Sequence, residues 1–182
     1  VTQHWLSGTN RYLCRQSGVL KLPWREVPLQ GVMRLDGAQQ EARLVAMDGM
    51  GVKLFDLTVT PDSSTVNYLL PLLEEHPQLP EVVASSVRHI FLSPRPTAAD
   101  HLQTRCAGQP YRLISSQQSG TVFTFAGDPI RLQSVHVDRA GENWQVDYFN
   151  YTHEESLWVP MMVVLDDENY RLTLWMEEVR QL

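Results

Sequence analysis

Apolar and polar residues alternate along much of the chain, and the alternation is broken at intervals by residues that favour turns. A period of two marks a strand with one buried face, because successive side chains point to opposite sides of a sheet. After Gln30 the pattern predicts strands over 31–36, 41–47 and 52–60. They are separated by Gly37-Ala38 and by Asp48-Gly49-Met50-Gly51, short glycine-bearing links that suit hairpins. Pro61-Asp62-Ser63-Ser64 makes a further turn into 65–69. The period then changes. From Pro80, an acceptable first-turn residue, Val83, Val87, Ile90 and Phe91 share one helical face, opposite Glu81, Ser85, Ser86 and Arg88. Pro94 and Pro96 end this helix, and a loop is expected through about His101. Strands are predicted again over 111–117, 121–126, 130–138, 144–151, 158–165 and 170–180, with turn chemistry at Ser119-Gly120, Gly127-Asp128-Pro129, Ala140-Gly141-Glu142 and Asp166-Asp167-Glu168-Asn169.

So many antiparallel strands rarely stay flat. The expected fold is mainly β, in the α+β sense: a large curved antiparallel sheet or half-barrel of about ten strands with one or more covering helices. No repeat, low-complexity run or long linker divides the chain, so residues 1–182 are expected to form a single domain, with 1–29 an amino-terminal segment packing on or leading into the sheet. A concave sheet face capped by a helix is either a filled core or an apolar ligand cavity. Val83, Val87, Ile90 and Phe91 are the candidate ligand-binding residues, and the same spacing serves plain packing.

Composition narrows the partners. With 43% apolar residues, 20% charged and a net charge of -6, the chain is neither disordered nor suited to a phosphate backbone, so no nucleic acid is expected. The apolar runs at 69–73 and 158–165 fall short of the roughly 20 residues that span a bilayer as a helix. The first residue is Val1 rather than Met, which reads as a processed chain.

Catalytic chemistry finds little material. Cys14 and Cys106 have no C-x-x-C spacing, and either form one long-range disulfide or remain buried thiols. None of the six histidines sits in an H-x-x-x-H frame, and His153-Glu154-Glu155 reads as a solvated turn. Gly49-Met50-Gly51 lacks the third glycine of a nucleotide fingerprint and lies between predicted strands. His136, Asp147 and Tyr148 are the raw material for acid–base work, but alternation puts Asp147 on the opposite face from Tyr148. No catalytic residue, metal site or cofactor is expected.

Met50 stands out by its setting. An unbranched apolar side chain between glycines at a hairpin tip has no obvious core to enter, so it either contacts a partner or lipid, or folds back into a gap. The Leu69-Leu70-Pro71-Leu72-Leu73 run is expected to pack beneath the helix.

This succession of strands, a Gly-Met-Gly tip, more strands, Leu-Pro-Leu-Leu and a proline-started amphipathic helix resembles the bacterial outer-membrane lipoprotein localisation proteins LolA and LolB, and most a LolB-like group of lipoproteins of unknown function. The likeness runs over about 30–182, with one local match, Gly49-Met50-Gly51-Val52-Lys53-Leu54, against a Pro-Leu-Gly hairpin tip. It implies a half-barrel closed by helices, an apolar cavity for acyl chains, and a place in the periplasm or on the periplasmic face of the outer membrane. The implied partner is an acyl chain, lipid or lipoprotein cargo. Met50 then stands where LolB-type proteins present a protruding leucine that assists insertion into the bilayer, as a membrane or partner contact. The chain departs from that pattern by Met for Leu and by Gly for the preceding Pro. The alternative expectation is a non-catalytic interaction or assembly domain of the envelope, binding another protein through outer aromatic residues such as Trp158 or Trp175.

Overall fold

The computed structural model describes residues 4–6, 8–92, 94–103, 110–154 and 157–182. The first five strands are β1 (Arg11–Leu22), β2 (Arg25–Asp36), β3 (Glu41–Met47), β4 (Lys53–Val59) and β5 (Ser64–Leu69). A single turn of 3-10 helix (Pro71–Leu73) and helix α1 (Leu79–Val87) follow, and α1 runs on through a wider π turn (Arg88–Leu92). The remaining strands are β6 (His101–Gln103), β7 (Tyr111–Ile114), β8 (Thr121–Ala126), β9 (Arg131–Arg139), β10 (Glu142–Glu154), β11 (Leu157–Asp167) and β12 (Arg171–Gln181).

All twelve lie in one curved, unclosed sheet in the order β5-β4-β3-β2-β1-β12-β11-β10-β9-β8-β7-β6. Every neighbouring pair is antiparallel. Two meanders therefore run outward from the middle, where β1 pairs with both β2 and β12. The segment between β5 and β6 has to travel from one sheet edge to the other. It carries the helix across the sheet, its first half against β4 and β5 and its last turn against β11. Pro80 sits in its first turn, where a missing N–H costs no hydrogen bond. Its apolar stripe of Leu79, Val83, Val87, Ile90 and Phe91 is buried against the inner sheet face.

The twelve strands exceed the expected ten or so by β1 and β6. β1 does alternate, with Tyr12, Cys14, Gln16 and Leu20 buried, but Gln16 and Gly18 occupy two inner positions while Leu13 and Val19 lie on the other face, which blurs the sequence signal. β6 is three exposed residues held by pairing with β7. β2 also starts earlier than the expected 31, its first half containing Pro28. β7 stops at Ile114 because Ser115 and the residues after it turn back, with the Ser115 N–H donating to the Thr121 carbonyl at 3.0 Å. None of the helices is long and apolar enough to cross a bilayer among the described residues.

One ion network fixes the β5 edge. The buried carboxylate of Asp56, on β4, accepts two hydrogen bonds from Arg43 of β3 at 3.2 and 3.0 Å, one from Lys53 at 3.3 Å, and one from Asn67 of β5 at 3.1 Å. These bonds, the Arg43 pair above all, hold its pKa down at about 2 against the desolvation that opposes them. A depressed carboxylate stabilises the fold fully above the unfolded value near pH 4, and that stabilisation is lost as pH falls toward the folded value. Asp56→Asn is expected to cost about 2 kcal/mol at pH 7, discounted for the exposed Arg43 partner. In urea unfolding, its difference from the wild type is expected to shrink steadily below about pH 4; a pH-independent difference would show that the carboxylate is not what holds this edge.

Candidate functional site

Antiparallel pairing places the β1–β2 hairpin, the β3–β4 hairpin and the exit of β5 at the same end of the sheet. Here the 3-10 turn and the start of α1 stand off from the sheet and leave a cavity of about 520 Å3. Its walls are mainly apolar: Leu22, Val27, Leu29 and Leu54 on the sheet side face Leu70, Leu73, Leu79 and Val82 on the helix side. Arg25, Asp48, Glu75, His76 and Gln78 supply its polar lining. The Leu70 N–H ties the helix-side segment to β4, donating to the Leu54 carbonyl at 2.8 Å.

The mouth carries two outward apolar side chains, Trp24 at 60% exposure and Leu72 at 74%, and Met50, at 88%, stands near it on the β3–β4 loop, whose Asp48 lines the cavity. Met50 is held out by its loop. The Asp48 carboxylate accepts from the Met50 and Val52 N–H groups at 2.8 and 2.9 Å, and the Gly51 N–H donates to the Asp48 carbonyl at 3.0 Å. Gly51 adopts φ +82, a backbone conformation that costs a side-chain-bearing residue energy. Of the two readings of Met50, folding back into a gap is excluded, since the side chain is almost wholly solvent-exposed. The expectation that the leucine run packs beneath the helix needs correcting. A 3-10 turn spaces successive side chains by about 120°, so Leu73 is the more deeply set of the two while Leu72 lines only the exposed rim of the cavity.

Val83, Val87, Ile90 and Phe91 come together deeper in, around a second pocket of about 40 Å3 between α1 and strands β1 to β4 and β12. All four are buried around this inner pocket, and the larger cavity is lined by Leu79 and Val82, on the mouth side of Val83. Sequence reasoning missed those two, together with Trp24 and Leu72. A helix wide enough to bury two adjacent stripes shows this as apolar residues at both 82 and 83.

The end of the helix is locked. His89 stacks on Trp144 at 4.0 Å, and Trp5 meets Phe91 edge-on at 6.0 Å. The Tyr148 ring packs against His4 at 6.1 Å. Burial holds both imidazoles neutral, His4 at about 3 and His89 at about 4. Ser86 donates to the Val82 carbonyl at 2.8 Å and lies 3.2 Å from the hydroxyl of Tyr170.

The residues considered for acid–base chemistry do not converge. Tyr148 is buried, and burial pushes its phenol well above the ordinary range, whereas Asp147 lies on the opposite face, held by Gln145 at 2.8 and 2.9 Å. His136 lines a separate polar groove on that outer face. His153 packs against Trp158 at 4.8 Å, while Glu155 lies outside the described residues. No three His, Cys, Asp or Glu side chains gather as metal ligands among the described residues. Cys14 is a free, fully buried thiol whose pKa burial pushes up to about 12, and Cys106 lies outside the described residues.

With this geometry, the chain resembles several solved structures. A LolA superfamily protein from Nitrosomonas europaea superposes with a TM-score of 0.58 at 8% identity, covering 96% of this chain and 87% of that one. The fold is LolA/LolB-like. A domain from Vibrio parahaemolyticus described as an outer membrane lipoprotein-sorting protein matches with a TM-score of 0.56 at 10% identity, over 97% and 87% of the two chains. A DUF1329 family protein from Desulfovibrio piger matches with a TM-score of 0.54 at 7% identity, over 95% and 86%. No protein-family model and no curated protein matches the sequence.

Packing and contact residues separate cleanly in a stability experiment. Phe91→Ala is expected to lower unfolding free energy by about 3–5 kcal/mol and Ile90→Ala by about 2–5 kcal/mol. Met50→Glu should stay within about 0.5 kcal/mol of the wild type in the same denaturant titration; a large loss there would mean that the loop is packed rather than presented.

Proposed function

We propose that this LolA/LolB-like chain is a non-enzymatic carrier or receptor of the bacterial envelope, which takes up an acyl chain, lipid or lipoprotein and exchanges it at a membrane surface. The observation that carries the reading is the apolar cavity of about 520 Å3 opening beside three exposed apolar side chains, Trp24, Met50 and Leu72. That volume falls in the range of pockets that hold a single small ligand. Exchange between two such weak apolar sites is governed by differences in burial of about 0.8 kcal/mol per methylene. Bound at a bilayer, each of the three exposed residues gains roughly 1.5–3 kcal/mol by entering the acyl boundary. The lipoprotein-sorting description of the Vibrio neighbour supports the same cargo class and a location in the periplasm or on the periplasmic face of the outer membrane.

A second reading, an envelope assembly domain, is favoured by one feature of the outer face. Phe149, Met162 and Trp175 lie side by side in cross-strand register on β10, β11 and β12, with Phe149 and Trp175 exposed. Trp158 contributes less to it, since the Arg131 guanidinium already lies 3.4 Å over its ring.

The deciding experiment is native mass spectrometry of protein purified from bacterial cells, with organic extraction of any bound species, beside flotation with phospholipid vesicles. A stoichiometric lipid or acylated species is expected, and Met50→Glu should weaken vesicle binding at least about tenfold, because it removes apolar burial and adds a charge at the interface. Protein that carries nothing, binds no fluorescent fatty-acyl probe and ignores vesicles would overturn the carrier reading in favour of the assembly domain.

A further inference from the structure

The inner face of β1 forms a track leading away from the mouth: Leu22 in the large cavity, then Leu20, Gly18 and Gln16 along the small pocket under α1. The facing residues of β2, Val27, Leu29 and Gly31, line the other side of it, in register with Leu20, Gly18 and Gln16. Leu29 belongs to the walls of both spaces, and the adjacent helical residues Val82 and Val83 face the outer and the inner one. At about 3.3 Å per residue the track is about 20 Å long from Leu22 to Gln16. Beyond Gln16 it closes on Cys14 and Met33, a cross-strand pair that is fully buried.

Gln16 is the exception in this lining. Its side chain is buried, and its Oε1 has no hydrogen-bond partner. Ser86, the other buried polar residue of the inner pocket, already gives its proton to Val82. An unsatisfied buried amide oxygen costs stability, and such groups in a folded protein ask for an explanation. The strand positions around it are cut to make room: a Cβ on Gly31 would stand 3.3 Å from the Gln16 Nε2 and 3.1 Å from Leu44.

We infer that the inner end of the cavity is a polar subsite, in which Gln16 hydrogen-bonds a hydroxyl carried toward the far end of an otherwise apolar chain. A hydroxyl both donates and accepts, so it satisfies the amide in either orientation, whereas a methyl end leaves the oxygen unpaired. The inference rests on the carrier reading and sharpens it: the cavity selects hydroxylated over plain chains of similar length.

The test compares hexadecanoic acid with 16-hydroxyhexadecanoic acid, by calorimetry, on the wild type and on Gln16→Met, a change close to volume-conserving. The ratio of hydroxy-acid to plain-acid affinity is expected to fall about tenfold in Gln16→Met, where the hydroxyl is buried without a partner. In the wild type, the Gln16 side-chain amide resonances should move with the hydroxy acid and stay nearly fixed with the plain one, a readout that does not depend on the variant folding. Binding of both acids with an unchanged ratio and an unmoved Gln16 amide would overturn the subsite and leave the carrier reading standing. Failure of the wild type to bind either acid would overturn both.

Discussion

The pairing of β1 with β12 is the constraint on which everything else depends. It joins the two ends of the chain in the middle of the sheet, with Leu20 opposite Leu172, Gly18 opposite Leu174 and Cys14 opposite Val179. The seam is tight: a Cβ on Gly18 would lie 2.7 Å from a Leu174 methyl and 2.9 Å from the Thr173 carbonyl, so this position needs glycine. Closing so long a loop is entropically costly and has to be offset by the burial it completes. Once made, it dictates the topology. Both meanders can only grow outward, so β5 and β6, which are linked through the helix, end up as the opposite edges of the sheet. The connection between them must cross the inner face, and the helix takes the position that closure into a barrel would otherwise fill.

Side-chain volume then decides where the covered space stays open. Inner positions of β1 to β3 include Gly18, Gly31, Ala42 and Ala46, whereas those of β8 to β10 include Phe123, Phe125, Trp144 and Tyr148. Close packing leaves no slack where large rings meet the helix end, and Trp5 and Leu6 add further bulk there. On the small-residue side lies the inner pocket, and the larger cavity opens beyond it, where the strand ends carry Leu22, Val27, Leu29 and Leu54. A single architecture thus has a filled half and an open half, with Phe91 at the boundary between Trp5 and the inner pocket.

Much of this was legible from residue order. Strong alternation located β3 and β8 to the residue, and the switch from a period of two to one of 3.6 located the helix to within one residue of its start. Met50 was marked out by its place between two glycines, but the sequence left open whether it folds back into a gap, and its exposure is read from the structure. What escaped is what only register determines. A glutamine in a strand ordinarily faces water, and nothing in the sequence marks Gln16 as inner until β1 is set against β2 and β12. Trp24 and Leu72 escaped for the opposite reason: large apolar residues read as core, and only the turns that carry them reveal that they point outward.

The two ends of the covering segment differ in how firmly they are held, and this gives the cavity a direction. From Leu79 onward the helix buries its apolar stripe, and its last turn is wedged by the His89–Trp144 stack and the Trp5–Phe91 contact. From Leu70 to Gln78 no side chain is fully buried, and the segment depends on a 3-10 turn and single backbone bonds such as that of Leu70 to Leu54. Local opening follows the least buried contacts, so its free-energy cost is lowest at residues 70–78 and highest at the π turn. The weakly held stretch includes Leu72 and leads directly into Leu79 and Val82 of the cavity wall. The part of the fold that opens most easily is therefore also the part that presents its apolar side chains beside Met50 and Trp24, so that contact at this end and access to the interior are coupled by the chain itself.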